Sequence, residues 1–421
     1  MKRFCKYLIC LLALLLMAGC VHRDQYDTGK PFSRVLLLYT AGYNNLSSDI
    51  ENNIKEICTT QMPLQDGSRA LLVFSHQAKT DYDYNTPVQP SLVRLSLDWQ
   101  GQVLRDTVLT FDSSVSATDP DTFAQVMEFV RTHYESDHYG LIMSSHGTGW
   151  MPTGYYDHPG SPDYAAFSRK RVFSPTERVA AFSEDEPKVR SFGAEVTWAG
   201  SSTVSEEMDI LSMVKAIPMH LDYMLFDACL MGGIEIAFEL RDKVDKIGFS
   251  QAEILAHGFP YATISERLLQ GATDVEGFCS DYYEYYAAQQ GSQCSATISV
   301  VDCHKLEEFA VTCKGLFSRY AAAMAGIDPK QVQGYFRKNR HWFYDLKDIL
   351  EKAGASEADL NTLQQALDEV VTFKASTRRI LDSFDVNAHC GLSMYLPADG
   401  DQYLDNYYKK FAWNQATGLV K

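Results

Sequence analysis

The chain has 421 residues, a formal net charge of −16 and 46% hydrophobic residues, enough apolar content to bury a large core for one main domain and a smaller one. The acidic surplus, with no basic arm to offset it, repels phosphate backbones and excludes nucleic acid as an expected partner. Ten cysteines without a CxxC pair indicate neither a disulfide framework nor a zinc site, so the residues alone call for no metal or cofactor.

Residues 1–19 have a basic start (Lys2, Arg3, Lys6) and an apolar stretch from Tyr7 to Met17 that is too short to span a membrane. The stretch ends in Leu16-Met-Ala-Gly-Cys20, which resembles a bacterial lipobox, so Cys20 is the expected lipidation site and the new N-terminus. An ordinary secretory signal is the alternative. Residues 20–32, with Gly29 and Pro31, read as a tether. The expected location is therefore outside the cytoplasm, periplasmic or at the cell surface of a bacterial envelope, with membrane contact through the lipid only.

Arg34 to Thr40 is a nearly uninterrupted apolar strand, and the turn Gly42-Tyr43-Asn44-Asn45 leads into a helix over 46–58. Arg69 to His76 is the next strand. Asp81 to Pro87 is a polar loop whose carboxylates lack regular calcium-ligand spacing. Two alternating runs around Asp98-Trp-Gln-Gly101 predict a hairpin at a sheet edge. A helix opens at Asp119-Pro120, with Phe123, Val126, Met127 and Val130 on one face.

The strand Leu141 to Ser144 then delivers His146. Residues 148–205 hold five prolines and many charges and read as one long insert, with Ser168-Arg-Lys-Arg-Val172 inside it. Helix is expected from Glu206 to Ile217 behind a Ser205 cap. The strand Tyr223 to Phe226 follows, presenting Asp227, Ala228 and Cys229, with a helix expected over Leu230–Leu240. Strands are expected near 246–250 and 296–301, a helix over 274–290, a mainly helical region over 303–421 and a returning strand near 391–396.

In an open α/β sheet, ligands bind outside the carboxyl ends of the strands, so His146 and Cys229 can meet there despite their separation in sequence. Either alone reads as a structural residue: a packed thiol or a hydrogen-bonded imidazole. Together, each beside small residues (Gly147, Ala228) that let a substrate carbonyl approach backbone donors, they have the makeup of a nucleophile and its base. A helix beginning just after Cys229 would also favour the thiolate. His257, His304 and His389 are the competing bases, but none follows an apolar strand so directly.

His-Gly at one strand end and Asp-Ala-Cys at another resemble the clostripain-like cysteine peptidases, relatives of the caspases, gingipains and legumains. Leu36-Leu-Leu-Tyr-Thr-Ala-Gly-Tyr-Asn-Asn-Leu46, Trp342-Phe-Tyr-Asp-Leu-Lys-Asp-Ile349 and Cys390-Gly-Leu-Ser-Met-Tyr-Leu-Pro397 resemble further stretches of that family. The resemblance implies a caspase-like α/β/α sandwich with a mostly parallel central sheet over 33–302, plus the smaller helical region. It implies peptide-bond hydrolysis through a thioester, with Cys229 attacking, His146 shuttling the proton, the backbone N–H groups of Gly147 and Cys229 holding the oxyanion, and Asp227 in a supporting role. It also implies cleavage after basic residues, for which Glu253 is the acid at hand, self-processing at Arg169, Lys170 or Arg171, and calcium as a family cofactor the residues themselves do not indicate. Peptide or protein substrates and a monomer are expected. Two alternatives stay open: a non-catalytic scaffold that binds peptides, and a transpeptidase that passes the same thioester to an amine.

Overall fold

One sheet of nine strands carries the fold. In chain order these are β1 (Arg34–Gly42), β2 (Arg69–Ala78), β3 (Pro87–Leu97), β4 (Val103–Thr110), β5 (Tyr139–Ser144), β6 (Leu221–Asp227), β7 (Val244–Phe249), β8 (Thr297–Asp302) and β9 (Val371–Ser376). Across the sheet they lie in the order β9-β8-β7-β6-β5-β1-β2-β3-β4. The computed structural model describes residues 31–79, 87–153, 195–199, 202–335 and 342–421. Cys20, the leader, most of the tether, the Asp81 loop and Arg169–Arg171 lie outside the described residues.

The five inner strands from β7 to β2 are mutually parallel, and antiparallel strands close both edges. Parallel strands covered on both faces need apolar side chains pointing both ways, which is why β1 is buried at every position after Arg34. The edge strand β4 instead alternates exposed and half-buried residues up to Thr107 and buries only Val108. At the tip of its hairpin the Asp98 carboxylate accepts from the Gln100 and Gln102 backbone N–H groups, both at 2.8 Å.

From β1 the chain passes through the helix Ser47–Ile57 to β2 on one side, and it later returns through the helix Pro120–His133 to β5 on the other side of β1. Right-handed crossovers in opposite directions place such helices on opposite faces of the sheet. The chain direction therefore reverses between β1 and β5, and a crevice opens at their carboxyl ends. Asp119 caps the second helix as expected, accepting from Asp121 N.

One expectation near the insert needs correction. The helix expected from Glu206 begins only at Ile210, capped by Asp209 and not Ser205, because Ser202–Glu206 pairs with Glu195–Ala199 as a hairpin. The C-terminal region also sends one segment into the main sheet. Val371-Thr-Phe-Lys-Ala-Ser376 continues from the helix Glu357–Val370 as strand β9 and pairs with β8. The expected strand near 391–396 is short, Ser393–Met394, and pairs with Tyr344–Asp345 and not with the main sheet.

Aromatic packing fastens this region down: Trp413 is fully buried among Phe238, Phe309 and Phe317. Beside it, Glu235 on the helix Ile234–Leu240 is also fully buried, accepting from Tyr395 N at 2.8 Å and Tyr408 Oη at 2.7 Å. Burial pushes this carboxyl up to about 7, against the lowering effect of those hydrogen bonds. A raised acid pKa means the folded state holds its proton more tightly, so stability falls as pH rises from about 4.5 to 7. Glu235→Gln, which keeps an acceptor for both donors, should therefore raise the unfolding free energy by about 3 kcal/mol at pH 8 and by little at pH 4. Denaturant titrations of both proteins at the two pH values check this. Among the described residues no helix is long and apolar enough to cross a membrane.

Candidate active site

Ser144 of β5 and Asp227 of β6 are register partners, so the chain leaves both strands at the same level. Two residues further on, it places His146 and Cys229 on adjoining loops. The loops touch: a Cβ on Gly147 would lie 2.3 Å from the Cys229 carbonyl oxygen and 3.1 Å from its backbone nitrogen, so only glycine permits this approach. Next to them Gly149, at φ +61°, would drive a Cβ to 2.7 Å from the Leu230 carbonyl oxygen.

Neighbouring strand ends fix the histidine loop. Ser145 Oγ donates to Ala41 O at 2.8 Å, and His146 Nε2 lies 2.9 Å from Asn45 Oδ1. Ala41 is near the end of β1 and Asn45 is in the turn that follows it. Behind the loop, fully buried Trp150 sits in an aromatic box with Tyr395, Tyr408, Phe343 and Phe411, ring centroids 4.8 to 6.4 Å away. Asp227 is fully buried and accepts from Ser144 Oγ at 3.1 Å and Tyr261 Oη at 2.8 Å, which joins the two strand ends to the segment after β7.

Cys229 is 0% exposed. Its sulfur accepts from Ile254 N at 3.1 Å, with Ile254 O at 3.6 Å. The helix expected to begin at Leu230 begins at Ile234. Leu230 adopts φ +62°, and Leu230 N and Gly232 N bond to Ala252 O and Ser250 O, so the chain after the cysteine pairs with the segment after β7 before it turns helical. The thiol therefore gains no helix-dipole help. Gln251 anchors that segment through Ser299 Oγ, Gly391 O and His389 Nε2.

A small cleft opens beside these loops, lined by His146, Gly147, Ala228, Thr118, Met208 and Glu207 among others. Cys229 lies outside its lining, behind Ala228. His146, Gly147 and Ala228 thus line one crevice, while the Cys229 thiol is buried outside it. The sequence profile of the clostripain family matches residues 38–161 and 193–418, most of the chain, through both loops.

This chain belongs to the clostripain family.

Clostripain of Hathewaya histolytica is 25% identical over 158 residues, 36% of this chain and 25% of that protein, so the match spans a quarter of clostripain's length. Among solved structures, an inactive zymogen C11 protease from Parabacteroides distasonis superposes with a TM-score of 0.71 at 26% identity, covering 92% of this chain and 99% of that one. A secreted C11 cysteine protease from Bacteroides thetaiotaomicron, at 22% identity and a TM-score of 0.69 over 92% of this chain and 100% of that one, shares the fold. The caspase-like α/β architecture is thus common to the clostripain-family chain and these structures.

The other candidates fall elsewhere. His304 is exposed and pairs with Asp245, His257 stacks on Tyr285, and burial pushes His389 down to about 3, leaving it neutral against Gln251. Burial likewise lifts the Cys279, Cys303, Cys313 and Cys390 thiols far above the usual range, which makes them poor nucleophiles. Glu253 is 1% exposed and sits between Ala252 and Ile254, away from the cleft lining. Among the described residues no group of three or more His, Cys, Asp or Glu is placed to hold a metal ion. Asn45 and Glu207 were missed by the sequence reading. Asn45 had a usable signal, a polar turn at the end of an apolar strand; Glu207 had none.

Proposed function

We propose that this clostripain-family chain is a cysteine endopeptidase that works through Cys229 and His146. The observation that carries this is the level exit of β5 and β6, which brings His146-Gly147 against Ala228-Cys229 beside the sheet's switch point. His146 takes the Cys229 thiol proton as the sulfur attacks the scissile carbonyl carbon, and the oxyanion accepts from the Gly147 and Cys229 backbone N–H groups, donors typically worth about 3 kcal/mol each. His146 gives its proton to the departing amine as the C–N bond breaks, leaving a thioester. Water then attacks that thioester, His146 takes the water's proton, and the acid product and free thiol are restored. Asp227 holds the loop in place and does not reach the reaction.

The buried thiol points to a latent form, since a substrate reaches Cys229 only after Gln251–Ile254 shifts. A cut at Arg169, Lys170 or Arg171 is the proposed release; a relative described as an inactive zymogen supports a latent state. Preference for Arg or Lys rests on Glu253, whose neighbour Ile254 touches the sulfur and whose carboxylate the same shift would bring to the substrate. Export and a lipid on Cys20 complete the reading, in line with a secreted structural relative.

The test is digestion of a mixed peptide library by residues 21–421, beside Cys229→Ala and Glu253→Gln, before and after nicking the insert at its basic run. Cleavage by the parent and not by Cys229→Ala is expected. Glu253→Gln should lower cleavage after Arg and Lys by about 100-fold and leave apolar sites nearly unchanged, the effect of removing one partner of a desolvated ion pair. No cleavage in any state would favour the peptide-binding scaffold. Ligation to an added amine in place of hydrolysis would make the protein a transpeptidase.

A further inference from the structure

After the insert, the described structure resumes at Glu195, first residue of the strand Glu195–Ala199. Its side chain is 0% exposed, and donors from three distant elements converge on its carboxylate. His76 Nδ1 lies 2.7 Å away, Ala117 N 2.6 Å, Ser116 Oγ 3.0 Å and, more loosely, Tyr43 N 3.5 Å. A carboxyl group this deep is tolerated only when its oxygens find hydrogen-bond partners in this way. The site is built for this one side chain, which arrives from the far end of a long insert.

Its position matters more than its stability. Tyr43 stacks on His76, with centroids 4.8 Å apart, and the Asn44 side chain closes the turn onto Ala41 O and Leu46 N. The next residue, Asn45, is the partner of His146 Nε2. On the other side of Glu195, Ala117 and Thr118 wall the cleft beside His146. One carboxylate thus grips both the turn that orients the imidazole and the loop that faces it.

We propose that Glu195 is a positioning residue for the peptidase: it clamps the Tyr43–Asn45 turn and the Ser116–Thr118 loop in the arrangement that lets Asn45 aim His146. This rests on the Cys229–His146 reading above. Glu195 follows the basic run 169–171 in the chain, whereas all four of its donors precede that run. The clamp therefore joins the two products of any cut there, and the insert's end belongs to the active enzyme after processing.

The test uses the nicked full chain and compares Glu195→Gln, Glu195→Ala, Asn45→Ala and the double variant Glu195→Ala/Asn45→Ala, with kcat normalised to titrated Cys229. We expect kcat to fall about 10-fold for the glutamine variant and about 100-fold for the alanine variant, the scale of loss when a catalytic group is misplaced by about 1 Å. The double variant should be no worse than the poorer single variant within about 3-fold, because both changes act through one imidazole. Unchanged kcat in both Glu195 variants, or losses that multiply in the double variant, would overturn the clamp. If Glu195→Ala does not fold, the near-isosteric glutamine variant decides.

A readout independent of turnover separates this idea from the peptidase reading. In Cys229→Ala, the His146 imidazole is titrated by NMR with and without Glu195→Gln. A lower midpoint in the glutamine variant is expected, because a loosened Asn45 no longer favours the cation. Identical curves would overturn the clamp even in a protein that cleaves peptides, and a displaced curve in a protein that cleaves nothing would sustain the clamp while removing the peptidase.

Discussion

His146→Ala lowers kcat/KM for peptide cleavage by about 10⁴-fold. The residue has two proton transfers to make, one to the leaving amine and one from water, and general acid–base catalysis of this kind is typically worth about 10²–10⁴-fold. Activation of the thiol belongs to the same side chain. Asn45 Oδ1 and Ser145 set the imidazole from the β1 side, and the three competing histidines do not take its place: His389 is buried and neutral, while His257 and His304 are engaged elsewhere. Steady-state kinetics on a peptide cleaved by the parent decide this. A loss below about 10-fold would mean that some other group carries the proton.

The second large effect lies behind the site. Trp150→Ala destabilises the fold by about 3–5 kcal/mol, the usual cost of deleting a large buried aromatic and leaving its cavity. Trp150 is fully buried, and its box is formed by residues of the C-terminal region, Phe343, Tyr395, Tyr408 and Phe411. That box is what holds the far end of the His146 loop to the rest of the molecule. Trp150→Phe refills part of the space and should cost about 1–2 kcal/mol. Denaturant unfolding of the three proteins gives the order, and equal stabilities would show that the box does not support the loop.

The placing of His146 and Cys229 just past the ends of two adjacent strands was legible because both strands are unbroken apolar runs that stop at small residues, a pattern that marks buried parallel strands and their carboxyl ends. The inner strands, the β3–β4 hairpin and the Asp119 cap were legible for similar local reasons. Other features depend on contacts between distant residues. Leu230 and Met231 continue a helix-compatible apolar pattern, yet backbone bonds from Leu230 and Gly232 to Ala252 and Ser250 hold this stretch in a non-helical path with Leu230 at φ +62°. Strand β9 was hidden because its alternation follows a helix without a break. Asn45 acquires its role only through the register of β1 against β5. Glu195 stood inside what read as an unstructured insert, and nothing near it in sequence announces His76 as its partner.

Cys229 as the nucleophile is the claim on which the rest depends, and covalent trapping tests it most directly. The chain, nicked at Arg169–Arg171, is incubated with a peptidyl electrophile ending in lysine, digested, and the adduct located by mass spectrometry. The account predicts one adduct, on Cys229, formed more slowly before nicking and slowed further by His146→Ala. An adduct on the partly exposed Cys58 or Cys294, or none on the folded nicked chain, would contradict it.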